Sequence, residues 1–407
     1  MNLLFAWRYF KAKKSTNAIN IIAWVSALAI VVITASFIIV LSVFNGFEGL
    51  VKSLYSTFYT DIRISPAKGR FMQFTTRQLE QLKANSDIKD YSLTVEEKTL
   101  ITSGENQIPM YLKGVDENYS NVTEVSKRLI RGSFELGTAD APSVVLGSGI
   151  ENALAIESDK SLYPLTAYMF KRGVNINVVD PMQVMSAENI NPTGSFFIQQ
   201  DLDNKYAITN IDFMRRMLGM KENETGNIEI TLKNSGDVSS VKNALNEIFG
   251  PAYLIESRYE QNKSLYSVMT LEKWAIYGIL TLMLIVAAFT MIGALTMLVL
   301  EKQKDIQVLK AMGATNKRIQ GIFFQEGLLL AGIGAFTGFM LAIIICWAQV
   351  KYKLVPIEGG TFLIDYYPVT LKASDFLLVM ITVFLVAGIA AWYPSRKAAA
   401  QPIELKS

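Results

Sequence analysis

Residues 15–47 read STNAINIIAWVSALAIVVITASFIIVLSVFNGF, a run of 33 positions without one charged side chain. A helix rises 1.5 Å per residue, so about 20 apolar residues cross a hydrocarbon core about 30 Å thick. Three further charge-free runs, Trp274–Leu300, Gly327–Val350 and Phe376–Ser395, are long enough to do the same. About 225 residues of ordinary soluble-type sequence separate the first run from the other three. This spacing predicts an integral membrane α-helical protein with four transmembrane helices, arranged 1+3. A large mixed α/β extracytoplasmic domain is inserted between helices 1 and 2.

Basic residues near the membrane set the orientation. Arg8, Lys11, Lys13 and Lys14 precede helix 1; Lys302, Lys304, Lys310, Lys317 and Arg318 lie between helices 2 and 3; Arg396, Lys397 and Lys406 follow helix 4. All three clusters fall on one side, which the positive-inside rule assigns to the cytoplasm. Lys351, Lys353 and Lys372 lie on the other side, accompanied by Glu358 and Asp365. Both termini are therefore expected in the cytoplasm. The run of helix 1 is too long for a signal peptide and no small-residue cleavage site follows it, so it reads as an uncleaved anchor. Trp274, Trp347 and Trp392 stand at ends of the apolar runs, where a membrane boundary favours them.

Composition excludes whole classes of function. There is no histidine, which removes a Ser-His-Asp hydrolase and a His-ligated metal site. The net charge of +3 suggests no nucleic-acid partner. The single cysteine, Cys346, lies inside helix 3, so nothing staples the outer domain. A large external domain without disulfides fits a bacterial envelope better than eukaryotic secretion. The expected location is the bacterial inner membrane, with the large domain in the periplasm.

Residues 1–19 read as a cytoplasmic amphipathic helix, because Leu3, Leu4, Trp7 and Phe10 recur at helical spacing opposite Arg8, Lys11 and Lys14. Helix 1 with an outer extension covers 20–47, the periplasmic domain 48–272, helix 2 273–300 and a cytoplasmic loop 301–321. Helix 3 covers 322–350, a short periplasmic loop 351–373, helix 4 374–395 and a cytoplasmic tail 396–407. Within the domain, strands are expected at Asp61–Ser65 and Tyr91–Val95, with a helix at Thr75–Lys83 between them. Lys98–Ser103 and Ile108–Val115 flank the polar turn of residues 103–106 and read as a hairpin. A second strand-helix-strand run covers Asn227–Leu232, Val238–Phe249 and Tyr253–Glu256. The two runs bracket the domain and predict a membrane-proximal subdomain, 55–120 plus 225–260. A distal subdomain, 140–224, is expected to carry strands at Ser143–Leu146, Val174–Val179 and Tyr206–Thr209. Met182–Gly194 reads as an exposed loop, since Pro192 and Gly194 limit regular pairing. Val184, Met185, Ile190 and Pro192 are its candidate contacts for a partner.

The loop between helices 2 and 3 reads EKQKDIQVLKAMGATNKRIQGIFFQEG, residues 301–327. Ile306, Leu309 and Met312 share one face of a short helix that Gly313 is placed to end, and Thr315 is placed to cap the next. Gly334 and Gly338 in helix 3 form a GxxxG whose small residues allow close helix approach, either between subunits or within the chain against helix 4.

Several segments carry a family resemblance. Glu301-Lys302-x-x-Asp305-Ile306-x-x-Leu309-Lys310-x-x-Gly313-Ala314 resembles the coupling-helix region of ABC permeases in the group of the macrolide exporter, the cell-division permease and the lipoprotein-releasing (Lol) permeases. Residues 42–48, SVFNGFE, are similar to the Lol signature at the outer end of helix 1. So are Leu271-Glu272-Lys273 and residues 286–289, VAAF, in helix 2. The tail Tyr393-Pro394-Ser395-x-x-Ala398-Ala399-x-x-Pro402-x-Glu404 is similar to the tail of the group. Residues 179–197 do not match the hook-bearing loop of the receptor-docking subunit.

The resemblance implies a non-catalytic permease subunit that extracts triacylated lipoproteins from the outer leaflet. ATP and Mg would be bound by a separate cytoplasmic ABC ATPase dimer, since no G-x-x-x-x-G-K-[ST] loop occurs and this chain holds no cofactor itself. Lys304, Asp305, Ile306, Leu309, Lys310 and Gly313 would couple to that ATPase. A second permease copy or a paralogue would complete a cargo cavity lined by Val40, Val43, Phe44, Ile276 and Leu280. A periplasmic lipoprotein carrier would be the acceptor. The rival class is a permease-like mechanotransmission subunit that regulates an external cell-wall hydrolase or drives efflux.

Overall fold

The computed structural model describes residues 17–161, 163–170, 185–234, 237–357, 364 and 366–400, with the side chains of 17–23 left out. Residues 1–16 of the expected amphipathic helix, the strand at Val174–Val179, Val184 and the tail beyond residue 400 lie outside the described residues, while 17–19 begin the first long helix. The chain forms two compact units, one holding the long apolar helices and the other comprising Val51–Tyr266 with a short piece of the later chain.

The membrane unit is built on four helices long and apolar enough to cross a bilayer. They are α1 (Asn17–Phe58), α5 (Lys263–Glu301), α7 (Asn316–Tyr352) and α8 (Ala373–Ala399), with the short α6 (Gln303–Ala311) between α5 and α7. Helices α1 and α5 extend well beyond their apolar runs. Glu48 bounds the run of α1 and Lys273 that of α5 without ending either helix, because charged residues have ordinary helix propensity. The bundle core joins Phe37, Ile38 and Leu41 of α1, Leu284 and Met291 of α5, Ala331 and Ala335 of α7, and Val379 and Val383 of α8.

Small residues set the spacing of α7, because helices in lipid are held by close packing more than by a hydrophobic drive. A methyl group on Gly338 would lie 2.7 Å from the Val31 carbonyl oxygen, and one on Gly334 2.8 Å from the Ile30 side chain. The GxxxG is therefore an intrachain contact with α1, not with helix 4. Contact with α8 is made about two turns earlier, where Gly327 faces Ala391.

The second unit contains a ten-stranded sheet. Its strands are β1 (Ile62–Pro66), β3 (Ile88–Ser103), β4 (Asn106–Val115), β5 (Leu129–Gly132), β6 (Ser143–Gly147), β7 (Leu165–Phe170), β8 (Met185–Phe196), β9 (Tyr206–Asn210), β11 (Asn227–Leu232) and β12 (Tyr253–Ser257). Met72–Gln73 and Glu224–Thr225, β2 and β10, pair separately. The sheet order is β12-β1-β11-β3-β4-β9-β6-β8-β5, with β7 pairing β3 and β8. The expected hairpin is β3–β4, turning at Ser103 and Asn106 around Gly104 at φ +59°.

The bracketing strands do come together. β1, β11 and β12 pack Ile62, Ile64, Ile228, Ile230 and Ile255 beneath α2 (Thr76–Ala84) and α4 (Val238–Phe249). A second core forms where Phe213, Met214 and Leu218 of α3 (Ile211–Leu218) meet Leu165, Ala167 and Ile190. The two cores share one hydrogen-bonded sheet, so the expected division is one of packing, with the ladder running through it.

The described part of the expected acceptor loop is instead strand. Met185, Ile190 and Pro192 lie in β8, where Ile190 is fully buried opposite Leu165. The apolar residues fill the second core. Pro192 is accommodated because β8 runs parallel to β6 with a register shift between Val144 and Val145, a bulge that absorbs its missing N–H. Gly194 is required by close approach, since a methyl group there would lie 2.6 Å from the Ser133 carbonyl oxygen.

Candidate functional site

The helix α6 sits between two membrane helices and has two unlike faces. Its end is a complete Schellman cap: Gly313 N–H donates to the Lys310 carbonyl, Ala314 N–H donates to the Leu309 carbonyl, both at 2.9 Å, and Gly313 has φ +89°. Thr315 occupies the cap position of α7 with extended backbone, and its side chain makes no capping hydrogen bond.

On the inner face Ile306 is buried among Leu298 and Val299 of α5, Ile319 and Phe323 of α7, and Ala398 of α8. Lys310 Nζ donates to the carbonyl oxygen of Ala399 at 3.0 Å, satisfying a group left over at the end of α8. Ile306 and Lys310 thus bind α6 to its own bundle. Asp305 pairs with Lys302 at 3.5 Å, and Leu309 is half-buried. The outer face carries Lys304, Val308, Ala311 and Met312, with Val308 58% and Met312 78% exposed. Val308 escapes the sequence pattern, although its i, i+4 relation to Met312 is a usable signal.

At the other end of the bundle, Val40 and Ile276 are half-buried against the core and Leu280 lies within it. Val43 and Phe44 are half-buried on α1. Leu280 faces other helices of its own chain. None of the five lines the apolar groove of about 570 Å³ between α5 and α8, formed by Thr281, Ile285 and Phe289 with Ile381, Leu385 and Ile389. Among the described residues there is no group of His, Cys, Asp or Glu placed to hold a metal ion.

Four apolar helices with a large α/β domain inserted between the first and second give the architecture of an integral membrane protein. Residues 23–248 match the sequence profile of the MacB-like periplasmic core domain, and residues 277–403 match that of the FtsX-like permease C-terminal region. The chain belongs to this permease family, and is a bacterial inner-membrane protein whose inserted domain is periplasmic. It is 24% identical to the lipoprotein-releasing system transmembrane protein LolC of Neisseria meningitidis over 98% of both chains. It is 23% identical to LolE of Haemophilus influenzae, over 99% of this chain and 98% of that one. The solved periplasmic region of MacB from Actinobacillus actinomycetemcomitans covers 52% of this chain and 94% of its own, at 15% identity and a TM-score of 0.34.

Proposed function

We propose that the chain is the permease subunit of an ATP-driven transporter that extracts lipoproteins from the outer leaflet of the inner membrane for transfer to the outer membrane. The observation that carries this reading is colinearity. Similarity to lipoprotein-releasing system transmembrane proteins runs through 98% of both chains, through membrane helices and inserted domain alike. ATP and Mg are bound by a separate cytoplasmic ATPase dimer, and a second permease copy or a paralogue completes the membrane part. The basic clusters at Arg8–Lys14, Lys302–Arg318 and Arg396–Lys406 support cytoplasmic termini and a cytoplasmic α6.

The coupling surface in this reading is the exposed face of α6, with Val308 and Met312 as its apolar contacts and Lys304 at its rim. The buried face gives the lever its purchase: Ile306 touches the ends of α5, α7 and α8, so a push on α6 reaches three membrane helices together. The movement passes to the periplasmic domain, whose chain enters from α1 and leaves into α5. Triacylated lipoprotein is the cargo and a periplasmic lipoprotein carrier its acceptor.

Intact-mass measurement of the detergent-solubilised complex tests the reading, since ATPase, second permease and bound triacylated lipoprotein are all read at once. A stably bound cell-wall hydrolase without lipoprotein would replace it with the signalling class. Val308→Asp tests the coupling face. The side chain is exposed in the free chain, so folding is spared, whereas a carboxylate buried unpaired in an interface is costly. The variant is expected to insert normally and lose its ATPase; retained ATPase and wild-type release would remove α6 from the coupling path. Leu309→Asp is a poorer probe because Leu309 is half-buried against its own chain.

A further inference from the structure

Asn45 and Lys273, from the signatures of α1 and α5, are used by nothing described so far, yet the fold brings them to one place. Asn45 and Asp375 are 2% and 5% exposed. Asn45 Nδ2 donates to Asp375 Oδ2, and Lys273 Nζ donates to Asn45 Oδ1 at 3.1 Å while lying 3.8 Å from Asp375 Oδ1. Backbone contacts close the same corner. Thr370 N–H donates to the Ser42 carbonyl at 2.9 Å, and a methyl group on Gly46 would lie 2.1 Å from the Pro368 carbonyl oxygen. Lys372 and Glu48 pair beside it at 3.4 Å.

We propose that Asn45, Lys273 and Asp375 are positioning residues for cargo retention: a buried clamp that fixes the rotation of α1 so that Val43 and Phe44 face the cargo. The proposal rests on the reading of the chain as a lipoprotein-releasing permease. Asparagine suits the central place because one end of its amide accepts from the ammonium while the other donates to the carboxylate. An aspartate there would set two carboxylates against one ammonium, and a leucine would leave both charges short of a buried partner, which costs more than the pair contributes.

Stability alone does not call for such a group. Buried ion pairs are often no more stabilising than apolar packing of equal volume, and charges at membrane depth are costly. About two turns away α1 and α8 are joined by apolar contact alone, through Phe37, Ile38, Val379 and Val383. Directional hydrogen bonds add orientation. On α1 the buried stripe Ile38, Leu41, Ser42 and Asn45 lies next to the half-buried stripe Val40, Val43 and Phe44. One residue is 100° of helix rotation, so a slip of that size would turn the second stripe away. Apolar contacts tolerate such a slip; a three-way hydrogen-bonded corner does not.

The test uses the full-length chain with its ATPase. One readout is crosslinking to lipoprotein from a photoreactive residue at position 43. The other, independent of cargo, is maleimide labelling of Val43→Cys, read above the buried Cys346. Asn45→Leu, which removes two charge-assisted hydrogen bonds, is expected to lower lipoprotein crosslinking by about tenfold or more and to change the labelling rate. Lys273→Asp and Asp375→Lys, each alone, should act in the same direction, and the two together should restore part of both readouts, since the Asn45 amide can turn to serve the exchanged pair. Val383→Ala, in the core away from the clamp, should lower the melting temperature and leave both readouts unchanged. Wild-type behaviour of Asn45→Leu, or equal losses in Val383→Ala, would overturn the proposal. Should Asn45→Leu fail to accumulate, Asp375→Asn keeps the shape and carries the same test. A wild-type chain that crosslinks only phospholipid would sink the lipoprotein reading, while the labelling rates would still judge the clamp.

Discussion

Alanine at Gly338 probes the contact that fixes α7 against α1. Its methyl group would meet the Val31 carbonyl oxygen at 2.7 Å, Thr34 Cβ at 2.9 Å and the Ala35 nitrogen at 3.2 Å. Unstrained carbon contacts lie near 3.5–4.0 Å. Two of the three atoms are backbone, so no rotamer change relieves the clash and α1 itself must retreat. Overpacking of this kind costs about 1–3 kcal/mol. Gly332, in the same helix, supplies the control: a methyl group there meets only the Phe384 ring, at 3.5 Å. Alanine at that position should gain about 0.5–1 kcal/mol of helix preference. Alanine at Gly338 carries the same helix preference, so the two variants should differ by the overpacking cost, about 1–3 kcal/mol. Thermal unfolding in detergent, followed by helix content, measures the difference. Gly338→Ala at or above the stability of Gly332→Ala would refute the close α1–α7 approach and return the GxxxG to the surface.

Two further outcomes concern the periplasmic domain. Asp203 is 1% exposed, and burial pushes its carboxyl up to about 6, against the opposing backbone N–H bonds from Ile198 and Gln199. The fold thus favours the protonated form: that stabilisation is complete below about pH 4 and is lost as pH rises through 6, a change of about 3 kcal/mol. Hydrogen exchange of β9 in the full-length chain should slow between pH 7 and pH 5 beyond the intrinsic rate change, and Asp203→Asn should abolish that excess; an unchanged excess would clear Asp203. Lys113 and Glu229 form a buried pair at 2.7 Å, with the ammonium 4.6 Å from the Phe58 ring centre. Glu229→Gln leaves that ammonium without its counter-charge and should cost about 3–5 kcal/mol, visible as earlier proteolysis of the domain, whereas wild-type protease resistance would mean the pair is dispensable.

The features that follow from local chemistry are plain in the sequence. Charge-free runs mark α1, α5, α7 and α8 because exclusion of charge from hydrocarbon is a per-residue rule. Gly313 marks the end of α6 because a left-handed cap has a steric requirement that glycine meets. The facing of α6 is another matter. With only nine residues it makes two and a half turns, and Ile306, Val308, Leu309 and Met312 crowd within about 160° of its circumference. Which of them turns inward is decided by Phe323 and Ala398 on other helices, not by any periodicity within it. β8 is hidden for a related reason. Pro192 and Gly194 are breakers by their own preference, and only the bulged parallel partner β6 and the close approach of Ser133 make them suitable.

The clamp is the extreme of this dependence on distant partners. Asn45 lies 228 residues from Lys273 and 330 from Asp375, and each is unremarkable where it stands, next to the end of an apolar run where polar residues are common. Their burial reverses that reading. A polar side chain at a membrane boundary is unconstrained while it faces water, but becomes demanding once a helix and a loop cover it. Gly46 shows that the covering is built in, because the Pro368 carbonyl occupies the space of a side chain. The asparagine-glycine pair therefore has two separable roles, the glycine admitting the loop and the asparagine being satisfied beneath it. In the clamp reading two physical rules conflict at this corner: charge is costly inside the bundle, yet Lys273 and Asp375 are kept here with Asn45 between them.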